Sequence, residues 1–192
     1  MDLKNREDVR KIVQGCVRGD RNSQHLLYKM TYGKMLGVCM RYSSDINEAK
    51  DLLHDGYLKV FEKISTFKNT GHIESWMKTL IVNNNLDYIK SKNKINFNEY
   101  SENFIDNIKD DTDEVLEQIN ETDISAERLV ELIQELSPVY RTIFNLYYIE
   151  DLSHKEIAEM LNISIGTSKS NLARAKNNLK NLYIQKYGNI YE

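Results

Sequence analysis

The sequence predicts an all-α protein of two small helical domains joined by an acidic linker. Three observations carry this. Among 192 residues there is one proline and there are eight glycines, so little interrupts a helix. Apolar residues recur at i, i+3, i+4 spacing through both ends of the chain. Between those ends the charge changes sign. Residues 1–94 hold 17 basic and 11 acidic side chains, a net +6. Residues 95–127 hold one lysine and 11 acids, a net −10, and residues 128–192 a net +1. The chain's small overall charge of −3 therefore conceals a cationic N-terminal block, and an acidic pI does not exclude nucleic acid as a partner.

The N-terminal block, residues 1–94, begins with a stripe of Val9, Ile12, Val13, Cys16 and Val17 over 7–19. A second helix over 22–42 places Leu26, Leu27, Met30, Leu36 and Met40 inward. The third, over 45–64, is the clearest. Ile46, Ala49, Leu52, Leu53, Tyr57, Val60 and Ile64 form one face, and Glu48, Asp51, Asp55 and Glu62, with Lys59 among them, fall opposite. Asp45 and Glu48 have the spacing of a reciprocal N-terminal cap. By periodicity alone the acidic stripe is a solvated face.

A polar loop, Ser65 to His72, leads into a helix from about Ile73 to Lys90. Its expected core is Ile73, Trp76 or Met77, Leu80 or Ile81, and Tyr88. Lys78, Thr79, Asn83, Asn84, Asn85, Asp87 and Lys90 fall on its polar positions. Lysines, amides and aromatics in this order suit single-stranded nucleic acid, where cations track phosphates and rings hold unstacked bases. The plainer reading is a basic helix end complementing the dipole, with Trp76 in the core.

Residues 95–125 have sparse, mostly aperiodic apolar groups and read as an extended, self-repelling linker. The C-terminal domain, 126–192, carries the sharpest local signals. Ser137-Pro138 reads as an N-cap and first helical position, followed by an apolar face of Val139, Ile143, Leu146 and Tyr147. Ser153-His154-Lys155-Glu156 has the capping-box pattern and opens a short helix burying Ile157, Ala158 and Leu161. Asn162-Ile163-Ser164 is a turn, with Asn tolerant of the left-handed backbone. Ser164 caps a last helix from Ile165 to about Lys180. In it Ile165, Leu172, Ala175 and Leu179 face inward, and Thr167, Lys169, Ser170, Asn171 and Arg174 outward. Two helices across a tight turn, the second with a polar, cationic N-terminal face, form a helix-turn-helix suited to a major groove.

Cys16 and Cys39 lie at apolar helical positions without the pairing that zinc needs, and read as buried free thiols. No glycine-rich phosphate loop, metal-ligand spacing or nucleophile–base motif occurs, and His25, His54, His72 and His154 are scattered. No catalytic residue, metal or cofactor is expected. The first residues lack the apolar stretch of a secretory signal and no run approaches membrane-spanning length, so the expected location is cytoplasmic.

The two blocks together resemble the sigma-70 family of RNA polymerase sigma factors, in its extracytoplasmic-function (ECF) branch. Asp51-Leu52-Leu53-His54-Asp55-Gly56-Tyr57-Leu58-Lys59-Val60-Phe61 looks like the family's polymerase-docking helix, usually Asp-Leu-Val-Gln-Glu-x-Phe. Phe67, the polar loop, Trp76, Asn83 and Asp87 look like its promoter-melting segment (region 2). Leu136-Ser137-Pro138 to Leu179 is similar to its fourth region. The resemblance implies core RNA polymerase as partner, through the beta-prime clamp helices and the beta flap, together with promoter DNA and an anti-sigma protein. It implies polymerase contacts at Asp51, His54, Asp55 and Lys59. Opening of the minus-ten element falls to Phe67, Lys68, Asn69, Thr79, Asn83 and Lys90. Reading of the minus-thirty-five element falls to Thr167, Lys169, Ser170, Asn171, Ala173 and Arg174. The sequence departs from the family pattern at His54-Asp55 (usually Gln-Glu), Asn83-Asn84-Asn85 (commonly Arg-Asn), Asn162 (usually Gly), Ser168 (typically Val) and Asn171 (frequently Arg). The alternative reading is an autonomous helix-turn-helix regulator with an N-terminal sensor or oligomerisation domain.

Overall fold

The computed structural model of the chain describes residues 3–68, 72–93, 97 and 125–187, and every regular element among them is helical. The chain divides into two compact units, Met1–Ile89 and Lys90–Glu192. Apart from Phe97 and Ser125, the expected acidic linker lies outside the described residues.

The first unit packs four helices: α1 (Arg6–Val17), α2 (Arg21–Met40), α3 (Ile46–Lys63) and α4 (Ile73–Asn93, its residues from Lys90 on counted with the second unit), with a single 3-10 turn at Ile64–Thr66 after α3. Each of the first three begins on a side chain that accepts from the orphan amides of the first turn: Asn5, Asp20 and Asp45. The expected cap at Asp45 is present, but its reciprocal half is displaced by one residue. Glu48 accepts from the backbone amide of Ser44 at 2.7 Å and from its hydroxyl at 2.6 Å. The α1–α2 turn passes through Gly19 at φ 75°, where a side chain would be strained. Helices cross closely at Gly15, where an added Cβ would stand 2.0 Å from Ser23 Oγ, and at Gly56, where it would stand 2.9 Å from Ile81.

The core of this unit includes Ile12, Leu27, Leu52, Leu53, Val60, Ile73, Met77 and Ile81. The register of α2 differs from expectation. Its buried positions are Leu27, Thr31, Met35, Val38 and Cys39, and Leu26, Met30, Leu36 and Met40 are only half-buried. Thr31 explains the shift. Its hydroxyl donates to the Leu27 carbonyl at 2.7 Å and meets the Tyr57 hydroxyl at 2.6 Å, so a polar residue is accommodated in the core. Ile46, expected inward, is 41% exposed. Cys16 and Cys39 are buried free thiols as expected, and burial pushes both up to about 11.

The second unit contains α5 (Ala126–Glu135), α6 (Pro138–Phe144), α7 (His154–Leu161) and α8 (Ile165–Tyr187). Helix α5 starts on Ser125 and buries Leu132 and Ile133. Pro138 opens α6 behind the Ser137 cap. The helix then widens into a π-type turn, Asn145–Ile149. Arg141, 5% exposed, donates to the carbonyls of Ile133, Gln134 and Leu136. It thereby satisfies the acceptors that α5 leaves at its end.

A candidate promoter and polymerase interface

On α3, buried and exposed residues alternate with helical period. Leu52, Leu53, Gly56, Tyr57 and Val60 are inside, and Asp51, His54, Asp55, Leu58 and Glu62 are exposed. The exposed set spans three turns as one stripe, two carboxylates at its head and Leu58, 57% exposed, in its middle. Lys59 stands at the stripe's edge and is engaged within the unit, its ammonium 3.3 Å from Asp87 of α4. Tyr88 of α4 donates to Glu48 of α3 at 3.3 Å. Asp51, His54 and Asp55 are exposed, and Lys59 is partly committed to Asp87.

At the other end of α3 the chain turns through Ile64–Thr66 and presents Phe67. A cavity of about 410 Å³ is lined by Thr66, Phe67, Lys68, His72, Ser75, Trp76 and Thr79. The Phe67 and Trp76 rings meet at 5.4 Å between centroids, tilted by 53°. Of Trp76 and Met77, the two candidates for this core position, Met77 is fully buried and Trp76, which the plainer reading also placed in the core, is half-buried. Lys68 and Thr79 are exposed at the cavity, and the Thr79 hydroxyl donates to Ser75 at 3.1 Å. Asn83 is exposed and Lys90 half-buried farther along α4. Asn69 lies outside the described residues. The amide run splits. Asn84 and Asn85, expected on the polar face, are 6% and 0% exposed. Their amide nitrogens point to the Leu52 carbonyl at 3.5 Å and the Cys39 sulfur at 3.8 Å. Only Asn83 of the three faces solvent, since a helix this closely packed between neighbours buries more than one side.

In the second unit the capping box forms as expected. Glu156 accepts from the Ser153 amide at 2.9 Å, and the Glu156 amide donates to Ser153 Oγ at 3.3 Å. The Ser153 contacts hold the Glu156 carboxyl below its ordinary range. Asn162 takes the left-handed backbone, φ 56° and ψ 51°, and Ser164 Oγ accepts from the Thr167 amide at 2.9 Å. Leu172, Ala175 and Leu179 are buried as expected, but Ile165 is 47% exposed.

The expected reading face of α8 narrows. Lys169 is exposed, and Ser170, Ala173 and Arg174 are half-buried. Thr167 is 8% exposed, its hydroxyl turned back to Ser164 at 2.8 Å, and Asn171 is fully buried with its amide nitrogen 3.5 Å from the Phe97 carbonyl. Thr167 and Asn171 do not face outward. Periodicity placed them on the polar side, but small polar groups with partners pack inward as readily as apolar ones.

Two family descriptions match this chain: Sigma-70 region 2 over residues 27–95 and Sigma-70, region 4 over residues 126–179. The first spans α3, the aromatic cavity and α4; the second spans the helix-turn-helix. The chain belongs to the sigma-70 family, ECF branch. Members of this family are the subunits that direct RNA polymerase to begin transcription. The chain is 26% identical over 160 residues to the RNA polymerase sigma factor YlaC of Bacillus subtilis, covering 83% of this chain and 91% of that one. It is 23% identical to the ECF RNA polymerase sigma factor SigW of the same organism, over 90% of this chain and 95% of that one. It is 25% identical to the ECF RNA polymerase sigma-E factor of Haemophilus influenzae, over 88% and 92%. Both sigma regions are thus matched in order along nearly the full length of these relatives. Among the described residues no helix is long and apolar enough to cross a membrane.

Proposed function

We propose that this sigma factor docks on core RNA polymerase through the exposed stripe of α3, captures an unstacked promoter base in the Phe67–Trp76 cavity, and reads duplex DNA with α8. One observation carries the reading: the cavity. Two aromatic rings, Lys68 and Thr79 are among its lining. Rings and a cation lining one cavity suit a base and its phosphate, because every base offers a π-face and the backbone carries charge.

The parts divide the work. Asp51, His54 and Asp55 offer two carboxylates and an imidazole around the apolar Leu58. That arrangement favours a partner with a cationic rim and an apolar centre, as the beta-prime clamp would need to be. Phe67, Lys68 and Thr79 line the cavity for the minus-ten element, with Asn83 and Lys90 beyond it on α4. On α8, Lys169 and Arg174 supply cations, with Ser170 as hydrogen-bonding group and Ala173 as apolar contact, for the minus-thirty-five element. Lys59 holds α3 to α4 through Asp87 and contributes to docking through that tie.

The decisive experiment is run-off transcription by core polymerase on a library of promoter duplexes, with and without the full chain. Discrete transcripts that depend on the chain are expected. A polymerase that neither binds the chain nor starts RNA with it would refute the proposal. In that event specific duplex binding by the chain alone would favour the autonomous regulator.

A further inference from the structure

The first turn of α8 is anchored by a polar contact. Ser168 is fully buried. Its Oγ lies 2.9 Å from Nδ1 of His154, the first residue of α7. The imidazole in turn stacks on Tyr147, with ring centroids 4.8 Å apart and planes 26° from parallel. Tyr147 belongs to the π-type turn that ends α6. Three consecutive elements thus meet at one ring. A helix rotates as a body, so whatever fixes Ser168 about the axis of α8 also fixes Lys169, Ser170, Ala173 and Arg174.

We propose that His154 is a positioning residue for promoter reading: its neutral imidazole, held between the Tyr147 ring and the Ser168 hydroxyl, sets the rotation of α8. This rests on α8 being the DNA-reading helix. The chemistry favours the neutral ring. With Nδ1 unprotonated it accepts from the Ser168 hydroxyl, and that buried group is satisfied. A protonated ring has only donors. The Ser168 hydroxyl can then no longer donate to the ring and must find another acceptor, and a charge is added beside Lys169 and Lys176. Burial, then Lys169, then Lys176 keep the ring's pKa below its ordinary value. The two lysines approach from α8, Tyr147 packs from the preceding turn, and on the ring's own helix Glu156 is engaged with Ser153. Because the folded-state pKa is lowered, the contact is fully present above the ordinary histidine value. It is lost as pH falls through the folded one.

The test uses the full chain with core polymerase. The template is a promoter duplex recovered by run-off from a randomised library, and the control is the same duplex with its upstream element scrambled. The readout is the ratio of transcription from the two. His154→Phe keeps the stack and removes the nitrogen; Ser168→Ala removes the hydroxyl and leaves the ring. Each lowers the ratio by about tenfold, the scale of one base contact, with polymerase affinity unchanged. The double variant loses no more than either single one, because both act through one contact. His154→Asn, with an amide oxygen near the place of Nδ1, recovers part of the ratio. Between about pH 7.5 and pH 5.5 the unsubstituted chain's ratio tracks the neutral fraction of the ring followed by nitrogen-edited NMR, and the His154→Asn ratio does not. A ratio untouched by both single variants, fully additive losses, or a ratio indifferent to ring protonation would each overturn the proposal. Should His154→Phe not fold, Ser168→Ala and the pH series still decide it. Lys169→Ala with Arg174→Ala separates the two levels. If that pair leaves the ratio intact, α8 is not the reader and the proposal falls with the reading. If the pair abolishes the ratio and the His154 and Ser168 variants do not change it, only the positioning role fails.

Discussion

Replacing Phe67 with alanine tests the aromatic cavity most directly. Phe67 forms one wall of a space of about 410 Å³ and Trp76 another. The volume is near the lower end of the about 300–1,000 Å³ found for ligand pockets, enough for one planar group. The substitution removes two contributions. The ring pair itself is worth about 0.5–1.5 kcal/mol beyond its buried area. Stacking on a captured base is worth about 1–3 kcal/mol. Phe67 is half-buried and follows the last turn of the 3-10 segment, so the four-helix core survives. The stacking term is therefore the one transcription reads, and formation of the open complex should fall about 5- to 150-fold. The assay is run-off from a duplex promoter beside the same promoter pre-opened by a mismatched bubble. The variant should be deficient on the duplex and within a few-fold of the parent on the bubble. An unchanged rate on the duplex, or an equal deficit on both templates, refutes base capture at this cavity.

Asp51→Lys with Asp55→Lys should abolish binding of core polymerase and leave the thermal midpoint of the first unit nearly unchanged, since both groups are exposed and surface changes are usually within about 0.5 kcal/mol; retained affinity in a pull-down removes α3 from the docking face. Arg141→Met should destabilise the second unit by on the order of 3 kcal/mol, because a buried cation's hydrogen bonds to three carbonyls are lost; a denaturant midpoint that does not move contradicts the capping role. Glu156→Gln should flatten the acid limb of the second unit's stability. The Glu156 carboxyl is held below its ordinary value by Ser153, so its contribution is present above that value and is lost as pH falls through the folded one. Thermal melts from neutral to acid pH should converge at the acid end, and parallel curves at all pH values count against it.

The helices of both units were legible because their signals are local. Asp45, Ser137, Ser153 and Asn162 each specify a terminus through one side chain and its own backbone, and the structure has them in those roles. The aromatic pair Phe67 and Trp76 could be named, but not its geometry, because the cavity depends on Met77 taking the core position beside Trp76. Register failed where polar residues are buried with partners. Asn84, Asn85, Thr167 and Asn171 are expected outward by type and Thr31 is not expected in the core, yet each is buried. Their partners (Tyr57, Leu52, Cys39, Ser164 and Phe97) lie from three to 74 residues away in sequence, and only the Ser164–Thr167 pair is near enough to suspect. Arg141 was missed for the same reason. Its three acceptors are carbonyls, which carry no trace in the side-chain sequence.

The buried amides and the Lys59–Asp87 and Tyr88–Glu48 ties bear on how docking and melting share one unit. Helix α3 presents the carboxylate stripe to solvent on one side, and on the other it receives Asn84 from α4 at the Leu52 carbonyl. Lys59 and Glu48 pin the same pair of helices at two further points more than two turns apart on α3. An exposed ion pair alone contributes little, about 0–1 kcal/mol, but three ties distributed along a helix pair oppose sliding and rotation together. Gly56 adds close approach, since any side chain there would meet Ile81 of α4. Helix α4 also carries Trp76 and Thr79 into the cavity. A force applied to α3 is therefore passed by these ties to the helix that carries Trp76 and Thr79. Loosening the ties should leave each site intact and uncouple them. For Asp87→Ala, affinity for core polymerase should stay near that of the parent while promoter opening weakens. Equal losses in both would mean that Lys59 acts on the polymerase directly, not through α4.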